Sequence, residues 1–302
     1  MSVAVIVVNY NAGQWLQKSV ISALKATQVS QVYVVDNAST DNSIAELKEF
    51  LGTQPAFTEK IHWILNVENL GFGRANNQAL EKIADSPSGN LEFVLLLNPD
   101  CELSEDVLPT MLPYFGQYPQ LGMASCVIHN ADGSIQSTCR RKFPTPWTAF
   151  LRMSQLQRLG FAKRYNFDLG AQPLPKEFDV VEAISGAFML VRLKAIKEVG
   201  VFDEAYFMHC EDLDWCKRFS QSNWLVGFVP EVSVLHEKGV SSQSRPVGVL
   251  WNLHQGMLRF FDKFYRHQYP LFFRMIVKVG IYVSFFARAM LSVLKAVFGK
   301  MS

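Results

Sequence analysis

Three short stretches carry the side chains best able to do chemistry. Asn98-Pro99-Asp100 closes the apolar run Phe93-Val94-Leu95-Leu96-Leu97. Glu211-Asp212-Leu213-Asp214 follows Phe207-Met208-His209-Cys210, and His236 lies 24 residues beyond Asp212. A carboxylate held at a strand end by a proline suits Mg2+ or Mn2+. Such an ion takes oxygen ligands and keeps places for substrate phosphates. A histidine could complete the shell. A second carboxylate could act as a general base. Crowding of like charge at Glu211, Asp212 and Asp214 raises a carboxyl pKa towards that use. The same acids at a helix start also suit the macrodipole. Asp100 could equally cap the segment 102–112, and His236 could be a satisfied core or surface histidine.

Asp36 follows the run 31–35 and precedes Asn37-Ala38-Ser39-Thr40-Asp41. An ionised carboxylate there could accept the imide N–H of a pyrimidine base, or simply close the turn. Asn69-Leu70-Gly71-Phe72-Gly73-Arg74-Ala75-Asn76-Asn77 holds a Gly-x-Gly at a strand-to-helix turn. Glycines let the backbone approach a phosphate at a helix N-terminus, although a structural turn fits as well. This is not the dinucleotide fingerprint. That needs Gly-x-Gly-x-x-Gly after the first strand, where this chain has Asn9-Tyr10-Asn11.

The elements that must position these residues alternate through the first half. Residues 3–8 read as a strand buried on both faces. Apolar positions 16, 20, 23 and 24 mark a helix over 14–26. Strands follow at 31–35, 61–65 and 93–97, and helices at 43–51 and 72–83. The pattern predicts an open, mainly parallel sheet with helices on both faces. Ligands in such sheets bind beyond the carboxyl ends of the strands. Asn9, Asp36, Asn66 and Asn98 all fall there. From 99 to 246 the pattern is less regular. Residues 140–146 read as a basic loop, and 152–176 shows no clear period. Strands are expected at 180–184 and 187–191, broken at Ser185-Gly186, and at 226–229 and 232–235 around Pro230. Helices are expected at 194–199 and 211–220.

The chain has 302 residues, 49% apolar and 19% charged, which supports a substantial core and argues against bulk disorder. Its net charge is +2, but the last 49 residues carry eight Lys/Arg and one acid, Asp262. A mildly acidic body therefore bears a basic tail suited to an anionic surface. Nothing points to nucleic acid. Five cysteines without Cys-x-x-Cys spacing indicate neither a disulfide framework nor a zinc site, and fit a reducing cytosol. The division expected is 1–246 for the catalytic domain and 247–302 for a helical tail. Residues 271–298 are apolar around most of their circumference, with Arg274, Lys278, Arg288, Ser292 and Lys295 on one face. The longest uncharged run there is nine residues, 279–287. An amphipathic helix lying in the membrane surface is the preferred reading. Packing on the domain or on a second copy, and a true span, stay open.

The order of these motifs resembles the family-2 glycosyltransferases of the GT-A fold over roughly residues 3 to 240. Val7-Val8-Asn9-Tyr10-Asn11, Val35-Asp36-Asn37, Asn69-Leu70-Gly71-Phe72-Gly73 and Leu97-Asn98-Pro99-Asp100 look most like the rhamnosyltransferase-type branch. So do Ser185-Gly186-Ala187-Phe188 and Gly200-Val201-Phe202-Asp203-Glu204. The resemblance implies that Asp36 binds the nucleotide base, with Asn9, Asn11 and Asn37 close to it. It places Asn69, Gly71, Gly73, Asn76 and Asn98 on the donor as well. Asp100 and His236 would hold Mg2+ or Mn2+ on the diphosphate, and Asp212 would be the catalytic base. The usual metal motif is Asp-x-Asp, and Asn98 replaces its first acid with a neutral carbonyl. The expected protein is an inverting transferase at the inner face of the cytoplasmic membrane. It would take a dTDP- or UDP-linked sugar, preferably dTDP-L-rhamnose, to a lipid-linked saccharide. Two rivals are a sugar-nucleotide pyrophosphorylase, whose early Gly-rich signature is missing, and a non-catalytic binding module.

Overall fold

The computed structural model describes residues 1–85, 91–148, 168–169, 172–237 and 246–298. The first half folds as its periodicity predicts. β1 (Ser2–Asn9), α1 (Gln14–Lys25), β2 (Val29–Asp36), α2 (Ser43–Gly52), a one-turn α3 (Pro55–Thr58), β3 (Ile61–Leu65), α4 (Phe72–Asp85) and β4 (Leu91–Leu97) follow in order. The four strands are parallel and lie side by side as β3-β2-β1-β4. β1 is buried along nearly its whole length, which is why its sequence does not alternate. α1 buries Leu16, Val20, Ala23 and Leu24. Full burial of such a leucine or valine stabilises the fold by about 1.5–3 kcal/mol.

The second half breaks the parallel pattern. It comprises β5 (Cys101–Glu102), α5 (Val107–Gln117), β6 (Leu121–His129), β7 (Arg140–Arg141), β8 (Asp179–Val180), β9 (Ala183–Ile184), β10 (Phe188–Arg192), α6 (Leu193–Val199), α7 (Glu211–Gln221) and β11 (Leu225–His236). β10 enters between β4 and β6, antiparallel to both, while β6 and β11 are parallel. The central sheet runs β3-β2-β1-β4-β10-β6-β11-β5, with β8 also on β11, and β7 pairs β9 in a small second sheet.

Several expectations need correction. The strands expected on either side of Pro230 are one strand, β11, whose register on β6 shifts between Val229 and Ser233. A bulge there accommodates a residue without an N–H. β6 has no counterpart in the sequence reading. Its Gly122-Met123-Ala124-Ser125-Cys126 is fully buried and carries no period. Arg140 and Arg141, read as a basic loop, form a buried strand. The aperiodic stretch 152–176 lies largely outside the described residues.

The tail begins with α8 (Pro246–Phe264), which packs on the preceding α/β body. A Cβ on Gly256 would meet the His209 carbonyl at 2.6 Å, so only glycine allows this approach. Phe260, Phe261 and Tyr265 share a core cluster with Cys210 and Trp215. Lys263 binds Asp214 at 2.6 Å, and Arg259 binds Asp203 at 2.7 Å. α9 (Leu271–Phe298) lies against α8 through Ile281, Phe285 and a 2.7 Å Lys278–Asp262 pair. Its opposite face is bare: Phe272, Met275, Ile276, Val279, Val283 and Phe286 are each more than half exposed. These positions recur every three or four residues and form one stripe. By length and composition, Leu271–Leu294 is long and apolar enough to cross a membrane, with mean hydropathy 1.6 over 24 residues. That exceeds what a run of nine uncharged residues suggests, because the apolar residues on either side of Arg274, Lys278 and Arg288 outweigh these isolated cations.

Candidate functional site

The ends of β1, β2 and β3 meet in a network of amide side chains. Asn9 is fully buried, and its Nδ2 lies 2.9 Å from Asp36 Oδ1, Ser39 Oγ and Ser43 Oγ. Asp36 Oδ2 accepts from the Ser39 N–H at 3.2 Å. Asn9 therefore fixes Asp36 through its Nδ2. Asn11, at φ 54°, accepts from the Thr40 N–H through Oδ1 at 2.7 Å and so braces the same turn. Asn37 is buried too. Its Nδ2 donates to Asn69 Oδ1 and the Gly71 carbonyl, each at 3.1 Å, and its Oδ1 accepts from Asn66 and from the Leu70 N–H. Such a network specifies a rigid corner, because each buried amide would be costly if left unpaired.

The glycine loop has a packing reason for its composition. Gly71 has φ +86°, and a Cβ there would collide with the carbonyl of Phe207. The Phe72 N–H donates to that carbonyl at 2.9 Å. A Cβ on Gly73 would press on Phe202 at 3.2 Å. Asn77 binds both the N–H and the carbonyl of Phe202 at 3.0 Å, and buried Asn76 donates to the Phe72 carbonyl. The loop thus clamps the segment that leads into α7. The close approach made by Gly71 is to the Phe207 backbone, and that of Gly73 is to the Phe202 side chain.

At the end of β4, Asp100 and His236 meet. His236 Nε2 lies 3.1 Å from Asp100 Oδ1 and 3.2 Å from the side-chain amide of Asn98. Both Asp100 and His236 are buried. Pairing of β5 with β11 sets His236 opposite Cys101, and the Glu237 N–H donates to the Asp100 carbonyl at 2.9 Å. The other ring nitrogen, Nδ1, lies 3.0 Å from the amide of buried Gln136, which locks the imidazole. A ligand histidine is held by such a partner. One carboxylate, one imidazole and one amide fit a divalent cation whose remaining places are filled by phosphate oxygens. Among the described residues no group of three His, Cys, Asp or Glu gathers.

Asp212 sits in the first turn of α7, after His209 and Cys210, both left-handed at φ 73° and 70°. Two such residues in succession store about 1–3 kcal/mol each, held here by Gly256 of α8. Asp212 Oδ2 accepts from Arg141 at 2.5 Å and from the Gly186 N–H at 3.1 Å. Arg141 also donates to the Ile184 carbonyl. Burial alone would lower the guanidinium pKa, and Asp212 more than offsets it. Next to Asp212, buried Glu211 has its carboxyl pushed up to about 8, by burial first and then by the Asp212 charge. Asp214 lies apart, fully buried between Arg218, Lys263 and Tyr206, and anchors α8 to α7.

One short link joins Asp212 to the Asn98, Asp100 and His236 cluster. Gly186 donates to Asp212, and the next residue, Ala187, accepts from the Asn98 N–H at 3.0 Å. Asp36 is two strands from Asn98, roughly 10 Å at the usual spacing. The structure therefore brings Asn98, Asp100 and His236 together, ties them to Asp212 and sets Asp36 along the same edge. Sequence reasoning missed two residues. Arg141 showed only as part of a basic run, and Gln136 gave no signal.

Comparison with known proteins bears on this geometry. The glycosyl transferase family 2 profile matches residues 4–200. An N-acetylglucosaminyl-diphospho-decaprenol L-rhamnosyltransferase of Mycobacterium tuberculosis is 27% identical over 276 residues, 83% of this chain and 81% of that one. The rhamnosyltransferase WbbL of Escherichia coli is 30% identical over 172 residues, 55% of this chain and 60% of that one. Among solved structures, GalNAc-T7 with UDP, GalNAc and Mn2+ superposes with a TM-score of 0.62 at 14% identity, over 88% of this chain and 48% of that one. The mannosyltransferase PcManGT of Pyrobaculum calidifontis, with GDP-Man and Mn2+, gives 0.57 at 17% identity, over 99% and 79%. These likenesses show the GT-A fold. With its profile covering most of the described catalytic half, the chain belongs to glycosyl transferase family 2.

Proposed function

We propose that this protein is an inverting, metal-dependent glycosyltransferase with Asp212 as its base. The observation that carries this is the Gly186-Ala187 link between Asp212 and the Asn98, Asp100 and His236 cluster. On this reading a base stands beside a site for an anionic leaving group. The acceptor hydroxyl gives its proton to Asp212 while attacking the anomeric carbon from the face opposite the nucleotide. Arg141 and the Gly186 N–H hold Oδ2, so the carboxylate keeps one orientation. Asp36 receives the base of the nucleotide. Asp100 and His236 would hold Mg2+ or Mn2+, which offsets charge growing on the departing diphosphate. The named Mn2+ of two fold neighbours supports a divalent ion.

The preferred donor is dTDP-L-rhamnose, supported by two relatives named as rhamnosyltransferases; another UDP-sugar is the alternative. The acceptor is a lipid-linked saccharide used in cell-surface polysaccharide synthesis, supported by the diphospho-decaprenol acceptor in the name of the mycobacterial relative. Residues 1–246 form the catalytic domain and 247–302 the membrane-associating tail, on the inner face of the cytoplasmic membrane. The bare apolar stripe of α9 enters the acyl region, and its packing on α8 keeps it in the membrane plane. Deletion of 271–302 tests that role. The shortened protein should lose binding to anionic vesicles and keep transfer to a soluble acceptor. Unaltered vesicle binding contradicts it, and aggregation or loss of a dimer marks α9 as a packing or subunit surface instead. The activity itself is tested by incubating the protein with dTDP-L-rhamnose, Mn2+ and N-acetylglucosaminyl-diphospho-polyprenol. A disaccharide product is expected. Release of pyrophosphate, or no turnover with any sugar nucleotide, overturns the reading.

A further inference from the structure

A small apolar cleft of about 40 Å3 lies between the two C-terminal helices and the start of α7. Cys210, Phe260, Phe261, Tyr265, Val277 and Ile281 line it, and Pro144 and Pro146 close one side. Among the described residues no charged one lines it. Burial pushes the Cys210 thiol up, so this wall stays neutral. Cys210 is two residues from Asp212, whose charge acts on its thiol next after burial, so this wall of the cleft lies close to the proposed base. α9 supplies Val277 and Ile281 to the cleft and its bare stripe to the exterior. One helix thus borders both the exposed apolar surface and the cleft that Cys210 lines.

We propose that this cleft binds the first isoprene units of a polyprenyl-diphosphate acceptor, next to the diphosphate. The proposal rests on the lipid-linked acceptor reading. A lipid-linked acceptor must bring its sugar hydroxyl to Asp212 while its chain remains out of water. A cleft that begins at Cys210 and is roofed by the membrane-facing helix satisfies both demands. Each methylene taken from water there tightens binding about fourfold, equivalent to about 0.8 kcal/mol. The cleft thereby makes the lipid part of acceptor recognition, beyond bringing the enzyme to the bilayer.

The test uses the full-length protein and two soluble acceptors: N-acetylglucosamine diphosphate esterified with a methyl group, or with a ten-carbon isoprenoid. Titration calorimetry without donor should show the isoprenoid ester binding at least tenfold tighter. Met257→Gln and Val277→Asn place amides in the cleft at partly exposed positions. Both should remove most of that gain and leave affinity for the methyl ester unchanged. Equal affinity of the two esters, or a gain that survives both substitutions, overturns the proposal. Transfer from dTDP-L-rhamnose is measured in parallel. Tail-dependent binding without transfer to either ester contradicts the transferase reading and upholds the cleft; transfer with equal KM for both esters does the reverse.

Discussion

Asp212 plays two parts, as proposed base and as the counter-ion of Arg141, and a mutant cycle separates them. Their side chains are 14% and 10% exposed, so little water screens the pair. Two unit charges about 4 Å apart attract by about 4 kcal/mol at an effective dielectric of about 20. Removing one partner of a buried pair costs about 3–5 kcal/mol, because the other charge is left behind. The residual exposure of Asp212 argues for the low end. Asp212→Asn and Arg141→Met should each cost about 3 kcal/mol. The double variant should also cost about 3 rather than about 6, since neither charge then remains unpaired. Urea unfolding with a common slope measures this. Activity should behave differently. Asp212→Asn should lower turnover by about 10²–10⁴-fold, and the double variant should lose no further stability while regaining no turnover. Additive losses within about 0.5 kcal/mol would refute the pairing. Restored turnover in the double variant would refute Asp212 as the base.

The other expectations follow from single contacts. Asp100→Ala and His236→Ala should each weaken Mn2+-dependent binding of the nucleoside diphosphate in calorimetry, and the two effects should not add, because they share one ion. Gln136→Leu frees the imidazole and should weaken that binding by about 10–100-fold; wild-type affinity in all three would contradict the shared site. The folded protein holds a proton on Glu211 up to about pH 8, against an ordinary value of 4.5. Its contribution to stability is therefore full below about 4.5 and is lost as pH rises through about 8, by at most about 1.4 kcal/mol per unit. Glu211→Gln should flatten the denaturation midpoint across this window and exceed wild type at pH 8; parallel profiles would rule this out. Gly71→Ala combines a positive φ with a clash on Phe207 and should cost about 2–3 kcal/mol, whereas a loss under about 0.5 would show that the loop can yield.

The parallel half of the fold was legible because each of its elements repeats a period. α1 buries the four positions its spacing marks, and β1 reads as buried because it lacks alternation. β6 was hidden by the same rule: complete burial of small residues leaves no pattern to detect. Arg141 was hidden because a charged pair looks like a solvated loop until its partner is known. That partner, Asp212, lies 71 residues away. Asp100 and His236 could be named as a pair from motif order, but their meeting depends on β5 docking antiparallel on β11, a two-residue strand with no signal of its own. Gly71 and Gly73 were visible as glycines, while the backbone they approach became known only with the segment 200–210 in place.

The central claim is a single displacement at the sugar, driven by a base tied to the metal motif. The anomeric configuration of the product tests it most directly. The full-length protein is incubated with dTDP-L-rhamnose, Mn2+ and the isoprenoid acceptor, and the new linkage is assigned by the one-bond carbon–proton coupling at the anomeric position. One attack from the face opposite the nucleotide predicts a product inverted relative to the donor. A product that retains the donor's configuration would contradict the account, because it requires a second displacement that the arrangement around Asp212 does not provide.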